Sequence, residues 1–138
     1  MTDLSAPGPG PDAVAALRGR DLSQPIGALN LLKFRPRANY EPGSGETPCS
    51  GEEAYSRYAT LVTPILAAMG AHAILSGVAW MLGRPGEWDR AFVVRYPTAT
   101  LLLELPQHAE YAKIAHHRTA ALADSRLLVM EFNPGGLS

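Results

Sequence analysis

The feature that most constrains this chain is a strand with apolar residues on both of its sides. In the segment Trp88 to Tyr96, Phe92, Val94 and Tyr96 alternate with Ala91, Val93 and Arg95. Successive side chains of a strand point to opposite faces of its sheet. Ala28 to Phe34 repeats the pattern: Leu29 and Leu31 point one way, and Asn30, Leu32 and Phe34 the other. Such a sheet needs cover on two sides. The chain has 138 residues, enough for one domain and one layer of helices.

The remaining elements follow from spacing. Ser50 and Glu53 have the separation of a capping box. Tyr55, Tyr58, Ala59, Val62, Ile65, Leu66 and Met69 then form one apolar helical stripe, with Gly70 as its left-handed stop. Pro64 falls inside the stripe and predicts one kinked helix. A second strand is expected over Ala71 to Leu82, with a bulge or bend at Gly77. Gly83, Pro85 and Gly86 turn it into the third strand as a hairpin. Thr98 caps a second helical region that Pro106 divides into Ala99 to Leu105 and Gln107 to His116, and Arg126 to Phe132 is the last strand. Pro36 to Ser50 is a long loop, of the kind that is either a functional lid or disordered.

Strand, helix, strand, strand, helix, strand describes a ferredoxin-like βαββαβ unit of the α+β class. Its four-stranded antiparallel sheet carries both helices on one face. The other face stays apolar, and a second copy of the chain is the expected cover, giving a homodimer. Residues 1–20, rich in Pro and Gly, read as a tail with a short helix over residues 13–17. Residues 21–138 read as the single domain.

Composition removes several function classes. Twelve Lys and Arg against thirteen Asp and Glu leave a net charge of −1, so no long-range field would gather nucleic acid or an anionic membrane. No stretch reads as a membrane span or a signal peptide, and a cytoplasmic protein is expected. Cys49 is the only cysteine and reads as an incidental surface thiol. No zinc pattern, phosphate-binding glycine loop, nucleophile elbow or dinucleotide fingerprint is present, so neither metal nor cofactor is expected.

Several blocks resemble a known family: Asn30-Leu31-Leu32-Lys33-Phe34, Gly51 to Tyr58, Glu87-Trp88-Asp89, Arg95-Tyr96-Pro97, and His117-Arg118 through Asp124-Ser125-Arg126-Leu127. From about residue 28 to residue 130 the chain is similar to the family catalogued as "domain of unknown function 1330", within the dimeric α/β-barrel superfamily. The resemblance implies the same fold and the same dimer, and no activity. Leu101-Leu102-Leu103 departs from it where an aromatic residue is expected.

The candidate site is a cavity between sheet and helices. Asn30, Tyr55, Tyr58, Trp80 and Arg95 are expected to line it, and Trp88 could wall it. Equally, the tyrosines are core residues, Trp88 fills a sheet end or dimer seam, and Asn30 and Arg95 satisfy backbone groups. Within His116-His117-Arg118 the family pattern favours His117 as a general base, oriented by Asp124 or Asp89 and joined by Arg95. The plain alternative is a helix C-terminus where Arg118 pairs with Asp124. His72 and His108 are expected at the surface. The functional expectation is a small-molecule-binding homodimer, whose enzymatic form would be a cofactor-independent oxygenase, isomerase or cyclase acting on a small apolar or aromatic molecule; the class of reaction rests on analogy within the superfamily. The alternative is a non-catalytic ligand-binding or stress-related dimer. An RNA-binding sheet of this topology would need exposed aromatic and basic platforms that the sequence lacks.

Overall fold

The computed structural model describes residues 15, 17, 19–80 and 82–132. Residues 1–14, 16 and 18 of the expected tail, and residues 133–138, lie outside them. Of the short helix expected over residues 13–17, only Ala15 and Leu17 are described, both helical.

Four strands form one antiparallel sheet: β1 (Ile26–Phe34), β2 (His72–Val78), β3 (Arg90–Tyr96) and β4 (Leu122–Glu131), in the order β2-β3-β1-β4. This is the ferredoxin-like arrangement. The sheet of a single chain stays open, with β2 and β4 as its edges. Asn30 at the middle of β1 lies opposite Phe92 on β3 and Leu127 on β4, which fixes the register of the inward face.

Helix α1 (Gly51–Ala68) connects β1 to β2. Its capping box is complete: Glu53 N–H donates to the Ser50 hydroxyl, and the Glu53 carboxylate accepts from Ser50 N–H. The helix continues through Pro64. At its end Gly70 adopts φ +77°, Gly70 N–H donates to Ala67 O, and Ala71 N–H donates to Leu66 O. Those two bonds satisfy carbonyls that the last turn would otherwise leave unpaired.

The second helical region breaks more often than Pro106 alone requires. Helix α2 (Ala99–Glu104) starts with the Thr98 hydroxyl accepting from Leu101 N–H, and the 3-10 turn Leu105–Gln107 contains Pro106. Helices α3 (Ala109–Ala112) and α4 (Ala115–Ala121) follow. His116 and His117 therefore lie within α4, whereas the pattern had placed them at a helix end. β4 starts at Leu122, earlier than the expected Arg126.

Three further expectations are corrected. The bulge in β2 falls between Ala73 and Leu75, while Gly77 stays in register opposite Ala91. Loop 35–50 is tied down by its backbone: Arg35 N–H donates to Ala121 O at 2.8 Å, Asn39 N–H to Ala120 O at 2.9 Å, and Ala38 N–H to Cys49 O at 2.9 Å. Cys49 is buried, a small apolar member of the core beside Leu32, Tyr55 and Leu122. The loop folds back over the sheet end and carries the thiol inward with it.

The core has two parts. One surrounds Leu32, Tyr55, Tyr58, Val62, Ile114 and Leu122 beneath α1 and α4. The other surrounds Ile26, Ala28, Val94, Tyr96, Ala99 and Leu102 beneath α2. On the opposite face of the sheet none of the described residues covers Leu75, Leu128 and Met130, which are 71%, 52% and 41% exposed. No helix among the described residues is long and apolar enough to cross a membrane.

Candidate functional site

The space between the two core clusters is a cavity of about 460 Å³. Tyr55, Tyr58 and Val62 of α1 contribute one wall, and Val94, Tyr96 and Leu102 another. Asn30 and Phe92 form part of the sheet floor. Tyr111, Arg90 and Arg118 also line it. The volume falls within the roughly 300–1,000 Å³ of small-molecule sites, and the mixture of an apolar lining with a few polar groups is typical of them.

The polar groups differ in how well they are satisfied. Asn30 Nδ2 donates to Ala28 O at 3.1 Å, and the Tyr58 and Tyr111 hydroxyls meet at 3.2 Å. Tyr55 and Tyr96 are 5% and 4% exposed, yet neither hydroxyl has a hydrogen-bond partner among the described residues. No fully buried side-chain oxygen among the described residues is unpaired, so these hydroxyls keep some accessible surface, and both tyrosines line the cavity. Burial pushes the Tyr96 phenol up to about 12 and the Tyr55 phenol further, so both remain protonated donors.

Two guanidinium groups bring positive charge, and none of the lining residues is an Asp or Glu. Arg90 stacks 5.1 Å from the Phe34 ring centroid and reaches the exposed Glu52 only at 3.5 Å. Arg118 has a single long contact, to the Ser125 hydroxyl at 3.4 Å. Its expected partner, Asp124, is taken by Arg126 and by Ser125 N–H, which corrects the Arg118–Asp124 pairing.

The structure brings together Asn30, Tyr55 and Tyr58 of the expected set. Arg95 projects from the opposite sheet face, its guanidinium 5.6 Å from the Phe132 ring centroid. Trp80 is 84% exposed in the connection after β2. Trp88 is buried at the sheet end with Arg126 over its ring at 5.3 Å, and Asp124 lies beside Arg126. Asp89 accepts from Phe34 N–H at 2.9 Å and pairs with Lys33 at 3.2 Å, so it secures the end of β1. His72 is exposed, at the cavity edge, and His108 is exposed.

His117 belongs to a separate polar cluster beneath loop 35–50. Its Nδ1 lies 2.7 Å from the Tyr40 hydroxyl, which also accepts from Arg57 at 3.2 Å. Glu46 meets His116 at 3.2 Å and Arg57 at 3.9 Å. Burial holds the His117 imidazole below its usual range, with His116 acting in the same direction. One ligand atom each from Glu46, His116 and His117 lie within 4.8 Å of one another, so these three are the side chains with donors suited to a metal ion among the described residues.

Sequence reasoning missed Arg90, Phe92, Tyr96, Tyr111 and Arg118 as cavity residues. Alternation alone could have found Arg90, Phe92 and Tyr96, which share the inward face of β3 with Val94. No local pattern marked Arg118.

An open four-stranded sheet with helices on one side and an aromatic chamber between the layers defines a ferredoxin-like α+β protein with an internal cavity. The chain belongs to the family described as "Domain of unknown function (DUF1330)", which matches residues 46–132. It is similar to the methylated RPA0582 protein, with 31% identity and a TM-score of 0.82 over 96% of this chain and 99% of that one. A second structure of RPA0582, a protein of unknown function from Rhodopseudomonas palustris, shows 32% identity and a TM-score of 0.79 over 92% and 97%. A dimeric protein of unknown function and ferredoxin-like fold from Bacteroides fragilis shares the fold at 12% identity and a TM-score of 0.50, over 78% and 96%. No functionally curated protein matches.

Proposed function

We propose that this chain is a small-molecule-binding homodimer whose ligand occupies the chamber between sheet and helices. The observation that carries this reading is the cavity itself, about 460 Å³, aromatic, with the Tyr55 and Tyr96 hydroxyls lacking partners among the described residues. Binding is favoured over proton transfer. Among the described residues the one imidazole on the lining belongs to the exposed His72, and His117 is engaged with Tyr40 outside it.

The dimer rests on the opposite sheet face, where Leu75, Leu128 and Met130 are exposed beside Leu29, Leu31 and Val93. An apolar surface of this kind is stabilised by burial against a matching one. The Bacteroides fragilis protein of the same fold is described as dimeric, which supports the reading. Sedimentation of the purified protein should give twice the 14.7 kDa chain mass, and Leu128→Glu should give monomers. Thermal stabilisation by a panel of small aromatic and alicyclic compounds should disappear in Ala59→Trp, which fills the chamber. A monomer at all concentrations, or a panel that stabilises the filled variant equally, would defeat the proposal.

A further inference from the structure

Arg118 presents an uncompensated charge. Its side chain is half-buried on the cavity wall, its one hydrogen bond is 3.4 Å long, and no described carboxylate lies within ion-pair distance. A partly buried guanidinium without an anion is costly, and proteins normally pair it. Three other arginines have such an anion: Arg20 meets Glu131, Arg57 meets Glu46, and Arg126 meets Asp124. Arg118 faces a chamber that no described acidic side chain lines, and its charge acts on the nearby Tyr55 and Tyr58 hydroxyls.

We propose that the missing anion arrives with the ligand: the chamber takes a small apolar or aromatic carboxylic acid, with its carboxylate on Arg118 and the Tyr55 hydroxyl and its apolar body against Val62, Phe92 and Leu102. A planar guanidinium offers parallel donors that match the two oxygens of a carboxylate. The Tyr55 hydroxyl is a protonated donor with no other partner among the described residues. This inference rests on the small-molecule reading above and assigns its ligand class.

The test titrates the full-length protein by calorimetry with phenylacetate, cyclohexanecarboxylate and octanoate, each beside its neutral amide, and with acetate. At least one acid should bind more tightly than its amide by roughly 10- to 100-fold, the value of a charge-assisted hydrogen-bonded contact. Arg118→Gln should abolish that preference, so that acid and amide bind alike, and Arg118→Lys should restore part of it. Equal binding of acid and amide by the native protein overturns this inference and leaves the small-molecule reading standing. Acetate binding as tightly as the larger acids overturns it too, because the chamber would then be a bare anion site. Failure of every acid and amide to bind at millimolar concentration overturns the small-molecule reading itself. The acid-to-amide ratio of the native protein decides the matter even where an Arg118 variant does not fold.

Discussion

His117 and Arg118 are neighbours on one short helix, and their surroundings differ completely. On the His117 side each polar group meets another: Tyr40 with His117 and Arg57, Glu46 with Arg57 and His116. Around them the backbone of loop 35–50 is bonded to Ala120 and Ala121. On the Arg118 side the chamber holds two hydroxyls and a guanidinium with little or nothing of the protein to bond. A network that satisfies itself contributes to folding, whereas polar groups held unsatisfied at a cavity wall are available to a ligand. Substitutions on the His117 side should therefore move stability, and substitutions on the Arg118 side should move binding.

The largest expected effect lies where the loop meets the helix. A Cβ at Gly51 would sit within 2.6 Å of the Ala121 carbonyl and closer still to that of Arg35. Both are backbone atoms in hydrogen bonds, so neither can move aside cheaply. Gly51→Ala should destabilise the fold by about 3 kcal/mol or more, read from the urea midpoint. A loss under about 1 kcal/mol would mean that the loop is not clamped here.

Tyr40→Phe comes next. It strips the hydroxyl from between His117 and Arg57 while keeping the ring that lies 5.6 Å from His117, edge to face. The expected cost is about 1–2 kcal/mol, with no change in the affinity of any chamber ligand. A weakened affinity would show that the two regions are coupled through α4 and would break the comparison.

A smaller effect follows pH. The His117 imidazole is held below 6.5 mainly by burial. The unfolded chain therefore takes up that proton before the folded protein does. The stabilisation is complete above about pH 6.5, the unfolded value, and is lost as pH falls from there toward the lower folded value. Glu53 and Asp21, whose carboxyls are held below their usual range by hydrogen bonds from Ser50 and Ser23, lose their contribution only in the more acidic carboxylate range. His117→Gln should flatten the first part of the urea-midpoint profile and leave the acidic part unchanged. An unaltered profile would assign the transition to another group.

What the sequence revealed about the fold depended on periodicity. The strand alternation, the Ser50–Glu53 box and Gly70 each follow from contacts within a few residues, and all are present. The open apolar face followed from the same alternation. The chamber was half legible. Asn30, Tyr55 and Tyr58 lie on stripes that a local pattern displays, but the position of Arg118 depends on a break at Lys113–Ile114 that no proline or glycine announces. His117 carried the chemistry that drew attention to it. Its partner Tyr40 stands 77 residues away in a loop whose path is set by backbone hydrogen bonds, which side-chain spacing does not encode.

The smallest effect is the most discriminating, because it concerns the residue with least to lose. If Arg118 is held for a ligand, the empty protein gains little from its charge, since it lacks an anion and its one bond is long. Arg118→Gln should then leave the urea midpoint within about 0.5 kcal/mol of the native value, or raise it slightly. Binding sites commonly sacrifice stability in this way, because a group positioned for a partner is strained or unsatisfied until the partner arrives. A loss of more than about 1 kcal/mol in the unliganded protein would show that Arg118 already serves the fold. The distinction between the two sides of α4 would then disappear.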